Sequence, residues 1–174
     1  MDQLREYREE WELENPKPQT DEQLREYAKL FSTRVEGWLD EGAGCCALGN
    51  HANGELVDST LRHFDGDRYR LFCSVVMPNH IHAIVKPLGE NDLDEIWESW
   101  KKFSATRLSK QGVEIRPVWF SEGYDRIIRD MEHLQRVVRY IGRNPIKVGL
   151  SREATFCRIC DDWLADGWDW MDGE

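Results

Sequence analysis

The sequence predicts an α+β domain in which helices cover one face of a small antiparallel sheet. Strand-forming residues lie on both sides of the turn-forming pair Pro78-Asn79, which indicates a tight hairpin. Before and after this hairpin, apolar residues recur at helical spacing over long stretches. The chain has 174 residues and no internal repeat, which fits about one domain with a sizeable core.

The first part of the chain is predicted to be mostly helical. Residues 1–19 are charged and end in a proline break, which indicates a helical or loose arm. Residues 20–23 have the spacing of a capping box, and helically spaced apolar residues follow as far as Gly42, so we expect an amphipathic helix there. The apolar run 45–48 is interpreted as a short strand or strand end, and residues 57–64 as a short helix.

The second part contains the hairpin and two more helices. Residues 69–77 and 80–86 are the predicted strands. Asp92 can cap a helix that ends near Gly112. A turn is expected at 123–124.

The last predicted helix begins after its cap, Asp130. It extends to about Asn144, and Pro145 is expected to stop it. Tyr140 and Asn144 lie one turn apart at the edge of its apolar face, so the tyrosine either packs as a rim residue or faces a groove. The apolar positions of this helix are Leu134, Val137, Val138 and Ile141.

The charge of the chain is negative overall but unevenly distributed. A net charge of −10 argues against a nucleic-acid partner, because phosphate binding relies on lysine and arginine. Residues 97–152, however, carry twelve basic and six acidic groups, a net charge of +6. Since this segment contains Tyr140, we expect an electropositive patch near the tyrosine. A solvated helix surface is the alternative interpretation.

The cysteines and the hydropathy indicate a cytoplasmic protein. The five cysteines are odd in number, no run of eighteen apolar residues occurs, and the N-terminus has no secretory pattern. We therefore expect no membrane partner. Cys45, Cys46, Cys157 and Cys160 are conceivable zinc ligands, but adjacent cysteines rarely fit a tetrahedral site, so free thiols are favoured.

Two histidines lie two positions apart in the second predicted strand. Side chains alternate between faces along a strand, so His80 and His82 point the same way, whereas Ile81 and Ala83 point to the other face. This geometry suits chelation of a metal ion. A polar pair facing solvent is the alternative.

Four segments occur in a fixed order: MPNHIHAIVKP (77–87), WESWKKFSATRL (97–108), VWFSEGYDRIIRD (118–130) and RYIGRNPIKVGL (139–150). Together they resemble the single-tyrosine HUH transposases, and among these the REP-associated tyrosine transposases of bacteria. The resemblance covers about residues 34–150. Four ordered motifs are far more specific than a histidine pair alone.

The resemblance implies the ferredoxin-like or RRM-like sandwich of HUH nucleases. It divides the chain into an acidic N-terminal helical arm (1–33), a transposase domain (34–152) and an acidic C-terminal tail (153–174). Family members usually begin with an extra strand before the first helix. This sequence contains no convincing candidate for that strand, so the sheet is expected to be short by one strand or to start differently.

The resemblance also implies an activity and a site. Tyr140 would attack a phosphate of hairpin-forming single-stranded DNA, giving a 5′-phosphotyrosine intermediate that later rejoins. His80, His82 and Asn144 would hold a divalent metal, Mg²⁺ or Mn²⁺. Capping of the last helix is an equally open role for Asn144.

Basic residues of the motifs are expected to contact phosphates: Lys101, Lys102, Arg126 and Arg129. The tryptophans Trp97, Trp100 and Trp119 are interpreted as core residues in preference to base-stacking ones. The expected protein is a monomer or homodimer, associated with the nucleoid when bound to DNA. Two alternatives remain: a domesticated protein that binds hairpin DNA or RNA without effective cleavage, and an unrelated metal-dependent hydrolase in which Tyr140 has no role.

Overall fold

A computed structural model describes residues 2–17, 20–40, 42, 44–114, 117–120 and 125–170. The chain divides into two compact units, one made of residues 1–43 and 120–125, the other of residues 44–119 and 126–174. The described helices and strands are, in chain order, α1 (Asp2–Glu14), α2 (Asp21–Asp40), α3 (His51–Arg62), β1 (Tyr69–Val76), β2 (Ile81–Pro87), α4 (Leu93–Lys110), α5 (Met131–Lys147), β3 (Phe156–Ile159) and α6 (Asp161–Ala165).

The first unit contains α1 and α2. The rings of Trp11 and Tyr27 pack at 4.4 Å between centroids. The predicted capping box is confirmed at the start of α2: the Gln23 backbone N–H donates to Thr20 Oγ1 at 3.2 Å, and the Thr20 N–H donates to Gln23 Oε1 at 2.9 Å. These two bonds satisfy backbone donors that a helix start leaves without partners.

The second unit is built on a three-stranded antiparallel sheet with the order β2-β1-β3. The predicted hairpin is confirmed, because Met77 N–H donates to the carbonyl of His80 at 2.9 Å across the Pro78-Asn79 turn. The third strand, β3, lies in the segment expected to be a tail. It pairs with β1 over Cys73–Val76, which makes β1 the central strand.

Helices cover both faces of this sheet, so the expectation of helices on one face is wrong. Ile81, Ala83 and Val85 of β2 pack in a core with α3 and α4. Ile84, on the opposite face of the same strand, packs in a second core with α5. The physical reason lies in β1, whose residues 73–76 are all buried and therefore need cover on both sides.

Two predicted N-caps are confirmed. Asp92 accepts from the Asp94 N–H and Asp130 from the His133 N–H, each at 2.7 Å. The predicted stop at Pro145 is wrong, because α5 continues to Lys147. A proline this close to a helix end removes a single backbone bond, which the surrounding packing tolerates.

The remaining differences are local. Residues 47–49 form a short 3-10 helix where a strand was expected, and the predicted helix at 57–64 begins earlier, at His51. The turn predicted at 123–124 lies outside the described residues. Among the described helices, none combines the length and apolar character that crossing a membrane requires.

Candidate active site

The hairpin brings the two histidine rings together. The Nε2 atoms of His80 and His82 are 2.9 Å apart, and the rings lie perpendicular with centroids 4.7 Å apart. His80 directly precedes β2 and is buried, while His82 lies within the strand. Both side chains therefore lie on the same side of the hairpin, as the two-residue period predicts.

The turn residue Asn79 orients the first histidine. Its Oδ1 is 2.8 Å from His80 Nδ1. Because an amide oxygen only accepts, His80 Nδ1 is the donor in this contact, which leaves Nε2 as the ring nitrogen that faces His82. Partners of this kind are what hold metal-binding histidines in the required tautomer.

The second histidine is kept neutral. Desolvation of its ring is the main reason that the pKa of His82 falls to about 3, and the charges of His80 and Lys147 lower it further. Neutral imidazole is the form that binds metal ions.

Tyr140 of α5 reaches the same side of the sheet. Its ring meets the His82 ring edge to face, with centroids 5.5 Å apart and an angle of 85° between planes. The hydroxyl oxygen of Tyr140 is buried. The structure thus brings together residues from the first and last motifs.

Asn144 lies one turn after Tyr140 and is fully buried. Its Nδ2 donates to the Tyr140 carbonyl at 3.0 Å, while its Oδ1 is buried without a hydrogen-bond partner among the described residues. The C-cap of α5 is Val148, so the capping role considered for Asn144 is wrong. A buried acceptor left unsatisfied costs about 1–3 kcal/mol, so this oxygen suits a ligand role.

The spacing of the two histidine Nε2 atoms is compatible with two adjacent ligands of a divalent cation. Adjacent ligands of an octahedral ion at about 2.1 Å lie about 3 Å apart, close to the 2.9 Å between the two histidine Nε2 atoms. Among the described residues, no group of three or more His, Cys, Asp or Glu side chains could hold a metal ion. A cation held by the two imidazoles would therefore need oxygen ligands as well, and Asn144, one turn after Tyr140, offers a buried amide oxygen with no hydrogen-bond partner among the described residues.

Lys147 is a site residue that the sequence analysis missed. Its Nζ lies 4.3 Å from the centroid of the Tyr140 ring. The available signal was spacing: seven residues after Tyr140 in a helix is two turns along the same face.

The basic residues predicted to contact phosphate are not gathered at this site. Lys101 is largely buried and pairs with Glu98 at 2.7 Å, and Lys102 is exposed. Both lie on α4, which packs on the face of the sheet opposite α5. Arg126 and Arg129 are exposed in the segment before α5. Lys101 and Lys102 therefore lie on the opposite face of the sheet from Tyr140.

Of the three tryptophans interpreted as core residues, Trp100 is buried in the core, and Trp97 and Trp119 are partly buried against it. Trp100 Nε1 donates to the Tyr69 hydroxyl and Trp119 Nε1 to Ser104 Oγ, each at 2.8 Å. All five cysteines are free thiols.

Comparison of the chain with protein-family models, with curated proteins and with solved structures gives no match.

Proposed function

We propose that this protein cleaves and rejoins single-stranded DNA at hairpin-forming sequences, with Tyr140 as the nucleophile. The observation that carries the proposal is the ring contact between His82 and Tyr140, 5.5 Å between centroids. A tyrosine packed as a rim residue has no need of a histidine pair beside it. A nucleophile that attacks a phosphate does, because a divalent cation held by that pair would supply the positive charge that the phenol and the phosphate both require.

Each step of the reaction exchanges one phosphodiester linkage for another, so their number does not change. The Tyr140 oxygen attacks the scissile phosphorus, and its phenolic proton passes to solvent. The bond from phosphorus to the 3′ oxygen breaks, the departing oxygen takes up a proton, and a 5′-phosphotyrosine link remains. Attack by a 3′ hydroxyl on that link releases Tyr140 and rejoins DNA, so no external energy source is needed.

His80, His82 and Asn144 would hold the divalent cation, Mg²⁺ or Mn²⁺. When bound, such an ion neutralises phosphate charge. The protein's own contribution is positioning. Asn79 Oδ1 holds the His80 ring through its 2.8 Å contact with Nδ1, and the bond from Asn144 Nδ2 to the Tyr140 carbonyl fixes the orientation of the Asn144 amide group. A phenol with an ordinary pKa near 10 is a weak nucleophile, so this placement is what the chemistry requires.

The test is formation of a covalent adduct with labelled hairpin DNA in the presence of Mn²⁺ or Mg²⁺. The parent protein should form an adduct that survives denaturation, and Tyr140→Phe should form none while still binding the hairpin. Tyr27→Phe, in the first unit, makes the same chemical change and should leave the adduct unchanged. An adduct from Tyr140→Phe would contradict the proposal. Hairpin binding without any adduct from the parent would favour the binding protein considered as an alternative.

A further inference from the structure

The ammonium of Lys147 lies over the ring of the proposed nucleophile. The distance from Nζ to the Tyr140 ring centroid is 4.3 Å, well within cation–π range. Its charge also acts on His82, the other ring in contact with Tyr140. The same charge therefore acts on both residues whose rings meet at the centre of the site.

Lys147 is also available to a ligand. The residue is exposed, and among the described residues no carboxylate forms an ion pair with it. Two other cations of the domain differ in this respect. Lys101 is paired with Glu98 and Arg136 with Glu132. An ammonium with no carboxylate partner, held against an aromatic ring, retains its capacity to bind an anion.

We propose that Lys147 is a catalytic residue that contacts a non-bridging oxygen of the phosphate attacked by Tyr140. This inference rests on the proposed function. A phosphodiester carries one negative charge and the attacking phenolate brings a second, so a hydrogen-bonding cation at that point stabilises the transition state more than the bound substrate.

Two other roles make different predictions. Lys147 is in the last turn of α5, where a positive charge also stabilises the helix. If Lys147 only stabilised the helix, its replacement would change the melting temperature and leave the rate of adduct formation unchanged.

A role for Lys147 in helping the metal to bind is excluded by the sign of its charge, because a positive charge near His82 repels a divalent cation. Removing it should leave Mn²⁺ affinity unchanged or slightly higher.

The experiment compares Lys147→Gln, Lys147→Arg and a control, Lys110→Gln. Lys110 is in the last turn of α4, so its replacement removes the same charge from an equivalent helix position. We expect Lys147→Gln to slow adduct formation at saturating hairpin DNA by about 10- to 100-fold, with partial recovery in Lys147→Arg and little change in Lys110→Gln. Mn²⁺ affinity measured without DNA should not fall in any of them.

A neutral substrate isolates the phosphate contact. Hairpin DNA with a methylphosphonate at the scissile position has lost the charge that Lys147 is proposed to contact. In a Tyr140→Phe background, Lys147→Gln should weaken binding of the ordinary hairpin and have little effect on binding of the methylphosphonate hairpin. Equal losses for both substrates would overturn the contact.

The outcomes separate the two proposals. If the parent forms an adduct and Lys147→Gln forms it equally fast, the role of Lys147 is wrong and the proposed function stands. If the parent forms no adduct under either metal, both fail. A fall in adduct rate with unchanged melting temperature and Mn²⁺ affinity supports the inference.

Discussion

The ring of Tyr140 meets the ring of His82 edge to face, with 5.5 Å between centroids. One residue belongs to an edge strand and the other to a helix packed on that face of the sheet. This contact joins the first and the last of the four sequence motifs at a single place. It is the basis of the predictions that concern chemistry.

The histidine pair is expected to be the main metal-binding element. Replacing both residues, His80→Ala with His82→Ala, removes the two nitrogen ligands. We expect the double variant to lose both Mn²⁺ binding and adduct formation. Mn²⁺ binding is measured by electron paramagnetic resonance of the free ion. His63→Ala, which alters an exposed histidine on another element, is the control. Undiminished Mn²⁺ binding by the double variant would place the metal elsewhere.

Two substitutions at Asn144 separate its proposed role as a metal ligand from its structural role. Asn144→Ala removes the buried oxygen that has no partner and also the bond to the Tyr140 carbonyl. We expect Mn²⁺ affinity to fall at least about 10-fold, by analogy with the loss of groups that support a metal. Asn144→Asp keeps an oxygen ligand and should retain or strengthen Mn²⁺ binding. A variant that loses stability but not Mn²⁺ affinity would show that Asn144 is structural only.

The C-terminal segment is expected to be an integral part of the second unit. A Cβ atom added at Gly142 would lie 2.6 Å from a ring carbon of Trp170. Gly142→Ala should therefore reduce the free energy of unfolding by about 1–3 kcal/mol, measured by denaturant titration. Gly37→Ala is the matched control, because that helical glycine has no atom within 4 Å of an added Cβ. We expect that change to be neutral or stabilising.

A second substitution identifies the clash. Trp170→Ala removes the ring that an alanine at 142 would meet, so Gly142→Ala should cost little in that background. Equal costs of Gly142→Ala with and without Trp170 would show that the segment around Trp170 is not packed against α5 in solution.

The sequence was most informative where a local rule determined the structure. The two-residue period of a strand placed His80 and His82 together, and cap residues marked the starts of α2, α4 and α5 correctly. These features depend on residues that are close in sequence, so tertiary packing does not change them.

The errors concern features that tertiary contacts decide. The strand β3 is only four residues long, and it exists because it pairs with Cys73–Val76 of β1, far away in sequence. The helix α5 continues past Pro145 because packing compensates for the lost bond. Lys147 was overlooked because its significance depends on what lies beside Tyr140, which sequence spacing alone does not reveal.

The central claim is that Tyr140 becomes covalently linked to DNA. Its most direct test is mass spectrometry of the peptides released by proteolysis after the parent protein has reacted with hairpin DNA and Mn²⁺. The account predicts that the peptide carrying the nucleotide contains Tyr140, with the 5′ phosphate on its phenolic oxygen. A nucleotide attached to any other residue, or no attached nucleotide under either metal, would contradict it.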